Sequence, residues 1–250
     1  MQIALAQLNI HVGNFEQNTR KIIDAINNAK AQNAELVVFS ELSVCGYPSR
    51  DFLEFKHYID LCKKAIDEIA KHTTDIAAIV GAPCVNPEAQ GKDLFNSAYF
   101  LYQGKVQQII HKALLPTYDV FDEYRYFEPA KTFNVVEFKG KKIAVTICED
   151  IWNVGNENPL YTIAPLDVLV KQNPDFIVNL SASPFSYNQY EERLRVINAN
   201  CTRYNLPMIY VNQIGAQTEI IFDGGSVVAN AQGEVVKQLS FFKEDFAIVD

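Results

Sequence analysis

The segment Thr146-Ile147-Cys148-Glu149-Asp150-Ile151-Trp152 is the sharpest local feature in this sequence of 250 residues. An apolar run ends at a cysteine, and two carboxylates follow it. A thiol at a strand end is held rigidly and presented to a substrate. The N–H of the next residue then faces a developing oxyanion. The competing reading is a structural thiol, since most cysteines are buried packing residues. Two adjacent acids argue against deep apolar burial. They also raise the pKa of the thiol, so a nucleophilic Cys148 needs a base or a cation beside it.

Two other segments offer such partners. In Phe39-Ser40-Glu41-Leu42 an acid follows the apolar run Leu36–Phe39. Glu41 is either a general base delivered at a strand end or a solvated loop residue. In His111-Lys112-Ala113-Leu114-Leu115-Pro116 a cation follows the run Val106–Ile110. Lys112 is either a partner of the thiol or an exposed surface lysine. His111 competes with it, because an imidazole paired with Cys148 would make a Cys–His hydrolase.

The elements that must position these groups are legible as an alternation. Ile3–Leu8 reads as a strand. Asn14 is an N-cap with Gln17 three residues on, and a helix follows with Ile22, Ile23, Ile26 and Ala29 at helical spacing. The pattern predicts a helix over Phe52–Lys71 with Leu61, Ala65, Ile66 and Ile69 on one side. A strand over Ile76–Val80 follows, closed by Gly81 and Pro83. Hairpins are expected around Gln103-Gly104-Lys105 and Lys139-Gly140-Lys141. Helices over Leu160–Lys171 and Tyr187–Tyr204 alternate with strands over Phe176–Leu180 and Met208–Asn212. Strands over Ser226–Ala229, Glu234–Leu239 and Phe246–Val249 close the chain. This order predicts one α/β domain with mixed sheets and outer helices.

Charge and composition remove several classes of function. Lys+Arg number 22 against 30 Asp+Glu, a net charge of −8, which opposes binding to nucleic acid or an anionic membrane surface. No apolar run reaches the ~18–20 residues of a membrane span, and Met1–Ile10 lacks the pattern of a signal peptide. The five cysteines contain no C-x-x-C, which fits reduced thiols and a cytoplasmic location. The four histidines form no zinc-like cluster with them, so no metal is expected.

Taken together and in order, the blocks resemble the nitrilase (carbon–nitrogen hydrolase) superfamily. The resemblance covers essentially the whole chain and is greatest to the glutamine amidotransferase (amidase) domain of glutamine-dependent NAD+ synthetases. Ser40-Glu41-Leu42 with Cys45-Gly46-Tyr47-Pro48 resembles the family's glutamate block. His111-Lys112 through Pro116, with Tyr118 and Phe121-Asp122-Glu123-Tyr124-Arg125-Tyr126-Phe127, resembles the lysine block. Thr146–Trp152 resembles the nucleophile block. Asn179-Leu180-Ser181-Ala182-Ser183-Pro184 and Asn212-Gln213-Ile214-Gly215 with Glu219–Gly224 complete the match. The stretch Ala216-Gln217-Thr218 departs from the family pattern, which puts the detail of that loop in doubt.

The resemblance implies an α/β fold, a nitrilase-like αββα four-layer sandwich with two mixed β-sheets. Its outer helices often make dimer contacts, which implies a homo-oligomer. Residues 1–250 would form one glutamine amidase domain. The ATP-dependent NAD+ synthetase domain of that branch, with its need for ATP and magnesium, is absent from this sequence, and no cofactor is expected here. Glu41 would be the base, Lys112 the oxyanion partner and Cys148 the nucleophile, with Glu123 orienting Lys112. Tyr47, Tyr118, Glu149, Trp152, Ser181 and Ser183 would contact glutamine, although packing explains Tyr47 equally well. Glutamine would pass through a Cys148 thioester to glutamate and ammonia, which amidates deamido-NAD+ in the ligase as a whole. Two alternatives are a standalone amidase for another small amide, carbamoyl amine or nitrile, and a non-catalytic binding module that keeps the fold.

Overall fold

A computed structural model describes residues 1–250. The chain opens with β1 (Ile3–Gln7), α1 (Phe15–Ala31), β2 (Leu36–Val38), α2 (Lys56–Lys71), β3 (Ala77–Val85), β4 (Leu94–Tyr102) and β5 (Lys105–His111). The middle holds β6 (Val136–Phe138), β7 (Lys141–Ile147), α3 (Pro165–Leu169), β8 (Phe176–Leu180), α4 (Gln189–Tyr204) and β9 (Met208–Val211). It ends with β10 (Ile214–Gln217), β11 (Ile220–Asp223), β12 (Val227–Ala229), β13 (Val235–Gln238) and β14 (Asp245–Val249).

Two six-stranded mixed sheets result, in the orders β14-β1-β2-β3-β4-β5 and β13-β12-β9-β8-β7-β6. Their inner faces meet in a core that includes Leu5, Val38 and Ile79 from the first sheet and Val145, Val178 and Ile209 from the second. On the outer face of the first sheet, Val37, Ala78 and Val80 pack against Ile22 and Ile26 of α1 and Ile66 and Ile69 of α2. On the outer face of the second, Ala144, Ile177 and Met208 pack against Leu166 of α3 and Val196 and Ile197 of α4. The layers therefore run helix, sheet, sheet, helix. The central strands carry apolar residues on both faces, as doubly covered strands must.

Local chemistry explains the element boundaries. The Asn14 side chain accepts from Gln17 N–H at 3.2 Å and caps α1, which satisfies a donor the helix cannot use. The turns Gln103-Gly104 and Lys139-Gly140 have positive φ at both residues, as two-residue hairpins of right-handed twist require. No helix is long and apolar enough to cross a membrane.

Three sequence expectations are corrected. The Leu160–Lys171 helix shrinks to α3 and a single 3₁₀ turn, Val170–Gln172. Pro165 has no N–H to give and sits at the first helical position, so the helix begins there. β3 is not closed by Gly81 and Pro83 but runs on to Val85 beside β4. Its other neighbour, β2, pairs only as far as Ile79, and a strand flank free of partners tolerates proline. The antiparallel hairpin β10–β11 was not anticipated, because Thr218 and Glu219 at its turn carry no glycine signal.

Gly81 is the point where the fold touches the functional residues. A Cβ there would lie 2.4 Å from Leu42 N and 2.7 Å from Ser40 O. Gly81→Ala should therefore push the Glu41 turn away from β3 and destabilise the protein by about 1–3 kcal/mol. Urea unfolding measures this, and an unchanged midpoint would refute the close packing.

Candidate active site

The two sheets align so that β2, β5, β7 and β8 deliver their carboxyl-terminal ends to one region. Glu41 follows β2, Lys112 follows β5 and Cys148 follows β7. Lys112 is completely buried. Its Nζ donates to Glu41 Oε1 at 2.7 Å and to Glu123 Oε1 and Oε2 at 2.7 and 2.9 Å. Glu123 reaches this point from a 3₁₀ turn, Glu123–Arg125. The exposed-lysine and solvated-glutamate readings are thus excluded, since both side chains are sealed from solvent.

Further donors complete the two carboxylates. Asn96 Nδ2 donates to Glu41 Oε1 at 2.7 Å and to Glu123 Oε2 at 3.3 Å. The Tyr47 hydroxyl donates to Glu123 Oε1 at 3.0 Å, and Ala182 N–H donates to Glu41 Oε2 at 3.1 Å. Glu41 Oε2 accepts only this one bond, so it keeps a lone pair for a proton. Burial works to strip the Lys112 proton, but the Glu123 and Glu41 carboxylates outweigh it and hold the ammonium well above its usual range. Burial pushes Glu123 up to about 7, with Lys112 pulling down and Glu41 pushing up.

Cys148 has φ of +43°, a left-handed conformation that costs a non-glycine residue about 1–2 kcal/mol. The turn is buried, and so are Glu149 and Asp150. The adjacent acids therefore do not keep the segment out of the interior. Polar partners serve them there: the Glu149 carboxylate accepts from the Tyr118 hydroxyl at 2.9 and 3.0 Å and from the Tyr161 hydroxyl at 2.7 Å. Burial and the Glu41 charge raise the Cys148 thiol well above its ordinary value, while Lys112 opposes them.

His111 does not join the thiol. Its ring stacks on Phe95 with centroids 4.1 Å apart, and its Nδ1 bonds the Ser97 hydroxyl at 2.7 Å. Successive residues of an extended strand point to opposite sides, so Lys112 enters the interior and His111 leaves it.

A cavity of about 230 Å³ opens onto Cys148. Tyr118, Glu149, Trp152 and Ser183 line it. Ser183 is held there by Asn212, which accepts from its N–H at 2.9 Å and donates to its carbonyl at 3.2 Å. Trp152 serves both readings, since it also packs on the core beneath α4. Ser181 does not line the cavity. It is fully buried, and its hydroxyl donates to Asn179 Oδ1 at 2.6 Å. Tyr47 lies behind the carboxylates and lines an adjoining cavity of about 410 Å³ that reaches Glu123 but not Cys148.

Asn96, Tyr161 and the Asp150 side chain were missed as contributors. Asn96 follows from hairpin register only if the irregularity between Phe100 and Leu101 is known. It shifts the pairing by one and sets Lys112 N–H on Asn96 O at 2.8 Å. No group of three or more His, Cys, Asp or Glu side chains is arranged to hold a metal ion.

A buried thiol that feels the charges of a carboxylate and an ammonium, at the strand ends of an αββα sandwich, is the arrangement a carbon–nitrogen hydrolase would use. The family model for carbon–nitrogen hydrolases matches residues 2–250, and the chain belongs to that family. It is 42% identical over 255 residues to a glutamine-dependent NAD+ synthetase of a Synechocystis species, covering 99% of this chain and 45% of that protein. It is 35% identical over 250 residues to the Thermotoga maritima protein of the same name, covering 100% of this chain and 42% of that one. The chain thus spans less than half the length of these curated relatives. The solved glutamine-dependent NAD+ synthetase of Acinetobacter baumannii superposes with a TM-score of 0.90 at 36% identity, over 99% of this chain and 44% of that one. An amidase from a Nesterenkonia species shares the fold at a TM-score of 0.83 and 22% identity, over 100% of this chain and 92% of that one.

Two results are expected. A thiol whose pKa is raised is protonated at neutral pH, so Cys148 should show no thiolate absorbance there. Its alkylation rate should still be climbing where an ordinary thiol has levelled off. A thiolate band at neutral pH, lost in Cys148→Ala, would contradict this. Lys112→Ala strands two buried carboxylates and should cost about 3–5 kcal/mol in urea unfolding; a loss below about 1 kcal/mol, the range of exposed pairs, would show the cluster to be solvated.

Proposed function

We propose that this chain is the glutamine-hydrolysing amidase unit of a glutamine-dependent NAD+ synthetase. The observation that carries this reading is Glu149. It places a carboxylate, held by two tyrosine hydroxyls, in the cavity of the nucleophile. A simple amide or nitrile has no group for that carboxylate. The α-ammonium of an amino-acid amide does, and charge-assisted bonds of this kind contribute roughly 1.5–3 kcal/mol. The relatives named glutamine-dependent NAD+ synthetase support the reading over a standalone amidase, and the presence of Glu41, Lys112 and Cys148 supports it over a binding module.

In the mechanism, glutamine enters with its side-chain amide at Cys148. Glu41 takes the thiol proton through Oε2 as sulfur attacks the carbonyl carbon. The Lys112 ammonium and the Glu149 N–H face the oxyanion; each such donor is worth about 3–4 kcal/mol of barrier. Glu41 then gives its proton to the nitrogen, the C–N bond breaks, and ammonia leaves a γ-glutamyl thioester on Cys148. Water, losing a proton to Glu41, attacks the thioester carbonyl; the C–S bond breaks, Glu41 returns that proton to the Cys148 sulfur, and glutamate leaves. Glu123 keeps Lys112 in place throughout, with Tyr47 behind it. Tyr118, Trp152 and Ser183 form the walls around the substrate, and Ser181 acts only through Asn179.

Side chains account for every proton and for the covalent step, so this unit calls for no cofactor. ATP and magnesium belong to the synthetase domain that would receive the ammonia. A homo-oligomer and a cytoplasmic location complete the proposal.

Incubation with a diazo-ketone analogue of glutamine, followed by intact-protein mass spectrometry, tests it. One adduct is expected, lost in Cys148→Ala and competed by glutamine. Glu149→Gln should raise KM for glutamine by roughly tenfold to a hundredfold. Equal labelling of wild type in the presence of saturating glutamine would defeat the substrate assignment.

A further inference from the structure

Asp150 has no part in the chemistry above, yet it is the side chain that joins the two halves of the site. Its Oδ2 accepts the Ile147 N–H at 3.0 Å. Its Oδ1 accepts the Ala113 N–H at 3.0 Å and the Leu114 N–H at 2.9 Å. Ile147 immediately precedes the nucleophile, and Ala113 immediately follows Lys112. One carboxylate therefore ties the end of β7 to the end of β5, and these strands belong to different sheets.

No strand ladder can do this. The two sheets meet through apolar side chains, which resist separation but allow small slides. Three charge-assisted bonds to backbone N–H groups are directional and short, and the carboxylate that makes them is buried. The segment it holds also contains the left-handed Cys148, a conformation that must be imposed from outside the residue.

We infer that Asp150 is a positioning residue, which sets the separation of the Cys148 thiol and the Lys112 ammonium by clamping the two segments that carry them. This rests on Cys148 as the nucleophile and is independent of which amide is cleaved. Removing the clamp lets the ammonium drift from the thiol. The thiol then loses the one charge that favours its ionised form, and the oxyanion loses its partner. Displacements of an ångström cost on the order of a hundredfold in rate.

The test is Asp150→Asn, which keeps the size but turns an N–H donor toward at least one of the three N–H groups. The kcat for glutamine should fall roughly a hundredfold while KM stays within about twofold. The pH profile of Cys148 alkylation by iodoacetamide, read by peptide mass spectrometry, should move to higher pH. The profile of Cys84, a half-buried thiol on β3, should stay where it is. A merely structural role would lower the thermal midpoint and leave the Cys148 profile unmoved, and that result overturns the inference. If Asp150→Asn fails to fold, Ala113→Pro removes one donor from the backbone and leaves the carboxylate intact. It should move the Cys148 profile in the same direction by less, and an unmoved profile there also overturns the inference. Absence of glutamine turnover in the wild type would count against the substrate alone, because alkylation needs no substrate.

Discussion

The ammonium of Lys112 is the constraint on which the rest of the structure depends. It is fully buried between two carboxylates that are themselves buried. Removing a lone ammonium from water costs several kcal/mol even after the surroundings relax. Only carboxylates in direct contact, themselves held by further donors, offset that. Asn96, Tyr47 and the Ala182 N–H supply those donors, and each comes from a different part of the chain. The cluster carries two carboxylates against one ammonium, and burial holds Glu123 up at about 7.

The architecture follows from that requirement. A buried ion cluster needs walls that do not yield, and strands covered on both faces provide them. The carboxyl-terminal ends of β2, β5, β7 and β8 meet where the two sheets face each other, and Glu41, Lys112 and Cys148 each lie one or a few residues beyond a strand. Each is then held by backbone geometry rather than by a flexible stem. Gly81 shows how tight this is, because a single methyl group on β3 would overlap the backbone around Glu41.

The cavity onto which Cys148 opens is charged by a different device. Its buried carboxylate, Glu149, is raised by burial and pulled back by the Tyr161 and Tyr118 hydroxyls. The tyrosines serve as donors without bringing a positive charge, so they leave the negative charge of Glu149 unneutralised. Under the proposed function, the same segment presents the nucleophile, the oxyanion N–H and the substrate-binding carboxylate within two consecutive residues.

Much of this was legible in the sequence. Apolar periodicity located α1, α2, α4 and nearly every strand, because burial of one face imposes it. The thiol, carboxylate and cation were visible as residues closing apolar runs, and the ordered blocks tied them to one family. What the sequence by itself determined is therefore the set of elements and the groups at their ends. Tertiary structure alone decided which groups meet. The strand pleat sends Lys112 inward and His111 outward, and one irregularity in the β4–β5 register brings Asn96 onto both glutamates. Pairing between the sheets sets Asp150 on the lysine segment, Tyr47 behind Glu123 and Ser181 outside the cavity. These contacts join residues far apart in the chain. Their partners follow from how the two sheets pack, which no local pattern of residues encodes.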